Sequence, residues 1–123
     1  MKIEISNGEI VDKISILMIK NERLLDDRKK ENVLREIAEL TPSFLNISSF
    51  DNPLYLKLKS INSDLWNIED RIREKERAKE FDDEFVSLAR SVYITNDQRA
   101  DVKRQINDST GSLLVEEKSY AQY

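Results

Sequence analysis

The sequence of 123 residues contains no cysteine and no histidine, and it has only two glycines and two prolines. The absence of cysteine excludes disulfides, thiolate nucleophiles and iron-sulfur sites. The absence of histidine excludes imidazole-based acid-base catalysis, Ser-His and Cys-His nucleophile systems, and nearly all zinc and non-haem iron sites. We therefore expect no metal site and no bound cofactor.

A surplus of positive charge and a long apolar run are also missing. Twenty basic residues are outnumbered by 24 acidic ones, so the formal net charge is −4. Such a chain offers no cationic surplus to neutralise the phosphates of a nucleic acid. No stretch approaches the roughly 18 apolar residues of a membrane span, and no signal-peptide pattern opens the chain. The sequence predicts a cytoplasmic protein that binds neither nucleic acid nor membranes.

Charged residues are abundant, at 36% of the chain, and the apolar residues recur at helical spacing. Alternating steps of four and three residues place such a set on one face of a helix. This composition and spacing predict a single all-α domain over residues 1–123, an antiparallel bundle of about four helices with a long central hairpin. Two long stripes carry this prediction: Leu54, Leu58, Ile61, Leu65, Ile68 and Ile72, then Phe85, Leu88, Val92, Thr95, Arg99, Val102 and Ile106.

Capping signals predict where the first two helices begin and end. Ser6 and Glu9 have capping-box spacing, so the first helix should begin near Asn7. The charged stretch 26–31 reads as a bend or short connection. The second helix should follow it and close at Pro42, because proline interrupts helical hydrogen bonding.

The sequence also indicates where the two helices of the central hairpin begin and end. Asn52 followed by Pro53 predicts the start of the third helix, which should run to about Lys79. Asp82 is placed to cap the fourth helix and Gly111 to end it.

Both termini of the chain should lie against the bundle. Residues 2–5 alternate polar and apolar side chains and predict an extended segment. The tail from residue 112 to 123 is rich in apolar and aromatic residues, so we expect it to dock, pairing with residues 2–5. Glu116 and Glu117 should face water or meet Lys or Arg from the bundle, since burying them unpaired would be costly.

The fourth-helix stripe turns polar in its middle, at Thr95 and Arg99. If the hairpin turns near residues 80 and 81, Asn62 lies opposite Arg99, and Trp66 lies opposite Thr95 and its neighbour. One interpretation is a pocket in which Arg99 binds a small anion beside the flat wall of Trp66. The other is an internal network that sets the register between helices. The candidate cluster comprises Lys20, Asn21, Asn62, Trp66, Glu69, Arg73, Tyr93, Asn96 and Arg99.

Four stretches of the sequence together resemble a family of small bacterial and phage proteins of unknown function. They are SNGEIVDKISILMIKNER, LWNIEDRIREKER, LARSVYITNDQR and GSLLVEEKSYAQY. The resemblance covers nearly the whole chain, and it implies no activity. Met18 stands where the family pattern has an acid. The residues that match the pattern are Gly8, Asp12, Lys13, Lys20, Trp66, Glu69, Asp70, Arg73, Arg90, Tyr93, Asn96, Asp97, Arg99, Glu116, Glu117, Lys118 and Tyr120.

Two enzyme classes share limited features with this sequence. An Ile-Val-Asp-Lys-Ile start resembles helical chorismate mutases, which would require Lys20, Arg23 and Arg99 to converge on a dianion. Helical nucleotide pyrophosphatases hold magnesium with two facing acidic pairs, and Glu80 and Asp83 instead straddle the predicted turn. The leading hypothesis is a noncatalytic helical domain that self-associates or binds a protein partner. The alternative is a small-anion-binding protein or enzyme with a mid-bundle pocket around Arg99.

Overall fold

The computed structural model describes residues 1–119 as a bundle of four α-helices. They are α1 (Asn7–Arg23), α2 (Asp27–Leu45), α3 (Pro53–Ala78) and α4 (Asp83–Thr110). No strand occurs within residues 1–119, so the prediction of an all-α bundle is confirmed, and residues 2–5 form no strand with residues 112–119. None of the four helices has the length and apolar character that a membrane crossing requires.

The helix ends follow the capping signals of the sequence. The side chains of Ser6, Asn52 and Asp82 each accept a hydrogen bond from a backbone N–H in the first turn of the helix that follows. Gly111 ends α4 in the left-handed conformation, with φ 65°. These four predictions are confirmed.

The prediction for α2 is wrong at both ends. The Asp26 side chain accepts a hydrogen bond from the Lys29 N–H at 2.9 Å, so the helix begins within the stretch expected to be a connection. At the other end α2 continues past Pro42 to Leu45. Phe44 in this last turn is completely buried, with its ring centroid 5.3 Å from that of Tyr55. Burial of the aromatic ring stabilises a turn that proline weakens.

The buried apolar core lies at one end of the α3–α4 hairpin. There α1 packs against α2, α3 and α4, and the side chains of all four helices meet. The central cluster comprises Val11, Ile14, Phe44, Tyr55, Leu58, Ile61, Val102 and Ile106.

In the other half of the hairpin the apolar stripes of α3 and α4 face each other, and we call residues 68–94 the arm. Arg23, the last residue of α1, reaches Trp66 and Asn67 just before the arm begins. Residues 68–78 of α3 span about 16 Å at the rise of an α-helix. The apolar side chains between the two helices are only half-buried: Ile68, Ile72, Phe85, Leu88 and Val92.

Lys75 is the one buried residue of the arm, with 4% of its surface exposed. Its ammonium group lies 3.0 Å from Glu80, 2.8 Å from Asp82 and 3.1 Å from Glu84. The hydrogen bonds that the Lys75 ammonium donates to the Asp82 and Glu80 carboxylates raise the Lys75 pKa, and in return they lower the Asp82 pKa. One cation thus joins the end of α3, the turn and the start of α4.

At the opposite end of the hairpin, Gly8 lets α1 approach α4 closely. The Gly8 N–H donates to Asn107 Oδ1 at 2.6 Å, and the Asn7 N–H donates to Ser112 Oγ at 3.0 Å. A Cβ at position 8 would lie 2.5 Å from the backbone oxygen of Lys103. The start of α1 is therefore capped by the end of α4, at a distance that only glycine permits.

We expect Gly8→Ala to lower the free energy of unfolding by about 2 to 3 kcal/mol, because the added methyl group meets backbone that cannot rotate away. Gly111→Ala is the matched control: nothing lies within 4 Å of its Cβ position, so only the left-handed backbone strain of about 1 kcal/mol applies. Urea unfolding of both variants measures the difference. Equal losses would contradict the close approach.

The Lys75 cluster predicts a pH response. Because the pKa of Asp82 is lowered in the folded protein, its contribution to stability is present above its ordinary pKa of 3.8. That contribution is lost as the pH falls through the lower folded value. In Lys75→Gln, the NMR-detected pKa of Asp82 should rise toward 3.8. Lys79→Gln, which removes an exposed ion pair to Glu76, should leave it unchanged. An unmoved Asp82 pKa in Lys75→Gln would refute this assignment.

Candidate functional site

A buried carboxylate on α1 organises the polar layer in the middle of the bundle. Asp12 is 2% exposed. Arg99 on α4 donates from Nε to Asp12 Oδ1 at 2.9 Å and from Nη2 to Oδ2, which makes the pair bidentate. Asn62 on α3 donates its Nδ2 to the same Oδ1 at 2.9 Å. One carboxylate therefore connects three helices.

Ser15 completes the network one turn further along α1. Its hydroxyl donates to the backbone carbonyl of Asp12 at 2.7 Å and accepts from Asn62 Nδ2 at 2.8 Å. Within residues 1–119, every buried side-chain nitrogen and oxygen has a hydrogen-bond partner. The layer is thus a closed set of mutually satisfied groups, as buried polar networks in stable proteins are.

The electrostatics of the layer keep the Arg99 guanidinium charged. The hydrogen bonds to Asp12 raise the Arg99 pKa, and this effect outweighs the opposing effect of burial. Asp12 occupies the Nε and Nη2 edge, the edge with which arginine grips a planar anion. The chemistry of the layer is that of a bidentate ion pair with supporting amide and hydroxyl groups. No group of three or more metal-ligating side chains occurs within the described part of the chain.

A second charged layer lies one turn further along α4, closer to solvent. The Lys103 ammonium contacts Glu9 of α1 at 2.8 Å and Glu116 of the tail at 3.0 Å. Burial alone would lower the Lys103 pKa, but the hydrogen bonds with the two carboxylates outweigh it, so the pKa is raised. The same contact lowers the Glu116 pKa.

The structure brings together two of the residues in the predicted cluster, Asn62 and Arg99, through their common partner Asp12. Trp66 instead lies beneath the Arg23 guanidinium, 5.6 Å from its ring centroid. Arg23 and Arg99 are therefore engaged by different groups on the bundle.

The remaining predicted residues lie outside the hydrogen bonds of the Asp12 network. Glu69 and Arg73 form an ion pair of 3.8 Å between largely exposed side chains. Tyr93 is 42% exposed. Three others are half-buried: Lys20 and Asn21 on α1, and Asn96 on α4.

Sequence reasoning missed Asp12 and Ser15 as members of the layer. One signal was present: Gly8, Asp12 and Ser15 follow each other at steps of four and three, which places these small and polar residues on one face of the helix. What this spacing could not show is the partner of Asp12, because Arg99 lies 87 positions further along the chain.

We expect Arg99→Ala to lower the free energy of unfolding by about 3 kcal/mol, because it leaves the Asp12 carboxylate buried without its cation. The double variant Asp12→Ala/Arg99→Ala should lose clearly less than the sum of the two single variants. Arg23→Ala removes an arginine whose contacts lie at the surface and should cost about 1 kcal/mol or less. Additive losses in urea unfolding would contradict a coupled pair.

The whole chain was compared with curated proteins, solved structures and protein families. A search of curated proteins and a search of solved structures each found no match. A family model described as "Family of unknown function (DUF6165)" matches residues 1–123, so the chain belongs to that family.

Proposed function

We propose that this protein is a noncatalytic helical interaction domain that self-associates through its arm, residues 68–94. The observation that carries the proposal is the contrast between the two halves of the hairpin. The core end is covered by α1, and no apolar residue of the arm is among the buried ones of residues 1–119, whereas the apolar side chains between the arm helices are only half-buried.

The apolar groups of the arm favour a further partner. A pair of packed helices buries one side of each apolar stripe and leaves the other side in water. Next to that stripe, Phe81 is 57% exposed and Val86 is 53% exposed. Covering apolar surface of this kind is favourable, at about 25 cal/mol for each Å² removed from water. A surface with these properties is typical of a protein interface.

The charges of the arm favour a second copy of this chain as that partner. The arm has six basic and eight acidic residues, most of them in ion pairs within the arm. Four charged side chains form no ion pair within residues 1–119, and they divide equally between the signs: Asp70, Asp83, Arg77 and Arg90. A patch with equal numbers of unmatched acids and bases can complement itself across a two-fold axis.

The shape of the arm fits the same assembly. Two arms packed side by side supply four helical segments of similar length, with apolar stripes of the same spacing. That is the arrangement of a four-helix bundle, in which each helix buries its stripe against its neighbours. The arm's remaining apolar surface would then become the core of the dimer.

The mid-bundle layer supports the noncatalytic part of this proposal. The Asp12 carboxylate already occupies the position that a carboxylate ligand of Arg99 would take, and Asn62 and Ser15 satisfy what remains. Such a closed network favours an internal structural role. The small-anion alternative would require Asp12 to give up its arginine.

Size-exclusion chromatography with light scattering tests the arm as a self-association surface. We expect wild-type protein to have twice the chain mass of 14.4 kDa, with dissociation on dilution. Val86→Lys should shift the protein to the monomer, because it places a charge in the proposed apolar contact.

Leu34→Lys on α2 is the matched control, since Leu34 is 52% exposed and Val86 is 53% exposed. It should leave the dimer intact. Circular dichroism verifies that both variants keep their helical content. A wild-type protein that stays monomeric up to its solubility limit, or a dimer that persists in Val86→Lys, would overturn the proposal.

A further inference from the structure

The described part of the C-terminal tail, residues 112–119, folds back along α4, and two adjacent glutamates of the tail form ion pairs with that helix. Glu117 forms a bidentate pair with Arg104, at 2.8 and 3.0 Å. Its neighbour Glu116 contacts Lys103 at 3.0 Å. Two consecutive tail carboxylates thus meet two consecutive cations of α4. Of the two outcomes expected for these acids, facing water or meeting basic residues of the bundle, the structure shows ion pairs with the bundle between partly exposed side chains.

The apolar residues of the tail are only partly covered. Leu113 is 90% exposed, and Leu114 and Val115 are each 42% exposed. A structural clasp would bury such side chains, since apolar burial is its main source of stability. Here none of the three apolar residues is buried, and the ion pairs of Glu116 and Glu117 are contacts that salt and competing anions can displace.

The surface beneath the tail is a built cationic site. Lys103 is only 12% exposed at its side chain, and Glu9 of α1 holds its ammonium in place from the side. Arg99 lies one turn earlier on the same helix, fixed by Asp12. Arg104 presents a planar fork that matches a carboxylate in geometry. Lys103 is therefore oriented by the bundle itself, whereas the hydrogen bonds of Arg104 are made with Glu117 of the tail.

We propose that this surface, formed by Lys103 and Arg104, binds an acidic peptide segment of a partner, and that the tail is its built-in competitor. The ligand class follows from the present occupant, which is an extended peptide with two adjacent carboxylates in register with the two cations. A tethered competitor acts at an effective concentration on the order of millimolar. A partner must therefore carry more acids, or use the exposed apolar surface as well. This site lies on the core end and does not depend on the arm.

Fluorescence anisotropy with a labelled peptide of sequence SLLVEEKS, residues 112–119 of this chain, tests the proposal. Full-length Glu116→Gln/Glu117→Gln should bind the peptide at least about tenfold more tightly than wild-type protein, because its own tail no longer competes. Binding should weaken as salt is raised. Arg104→Gln introduced into the same tail variant should remove most of the binding, and the peptide SLLVQQKS should bind none of the proteins.

The matched control is Asp27→Asn/Glu39→Gln, which changes the net charge equally at exposed positions of α2, a helix that does not pack against α4. It should bind the peptide no better than wild-type protein. Circular dichroism and thermal unfolding verify that each variant is folded. Equal peptide affinity in the tail variant and this control would overturn the proposal, as would peptide binding that survives Arg104→Gln.

Discussion

The carboxylate of Asp12 is the constraint on which the arrangement of the bundle depends. A charge with 2% exposure must be met by opposite charge and hydrogen-bond donors, and these come from α3 and α4. Because Arg99 binds in the bidentate mode, the rotation of α1 and its position along α4 are both restricted. Close approach at Gly8 and the cap from Asn107 act on the same pair of helices two turns away or less. Apolar packing alone would leave the relative position of these helices less strictly defined.

The helices differ in length, and this difference leaves one end of the α3–α4 hairpin uncovered. α1 has 17 residues, whereas α3 and α4 have 26 and 28, so a third helix covers only one end of the hairpin. The uncovered end keeps its helices together through the Lys75 cluster and a half-buried stripe. Self-association through the arm would supply the burial that α1 and α2 provide at the core end. The function we propose is thus a consequence of incomplete coverage.

Candidate-site residues could be predicted only in part. Asn62 and Arg99 were recognised because a polar residue within an apolar stripe is visible in the sequence, and hairpin geometry placed them opposite each other. Trp66 was equally conspicuous, yet it packs beneath Arg23 at the end of α1. Whether a polar side chain of the hairpin meets Asp12 or Arg23 depends on how far α1 reaches along the hairpin. That distance cannot be predicted from a local sequence pattern.

The sequence by itself determined the helical elements and most of their ends. Apolar spacing and capping residues act through neighbours within a few positions, so their effect can be predicted without knowing the fold. The capping residues here are Ser6, Asn52, Asp82 and Gly111. The extent of α2 past Pro42 required Phe44 to find its place in the core. The partner of Arg99 was likewise decided by tertiary structure, since Asp12 lies 87 positions away. Contacts between distant residues depend on the packing of whole helices, and that packing minimises buried unpaired charge and exposed apolar surface together.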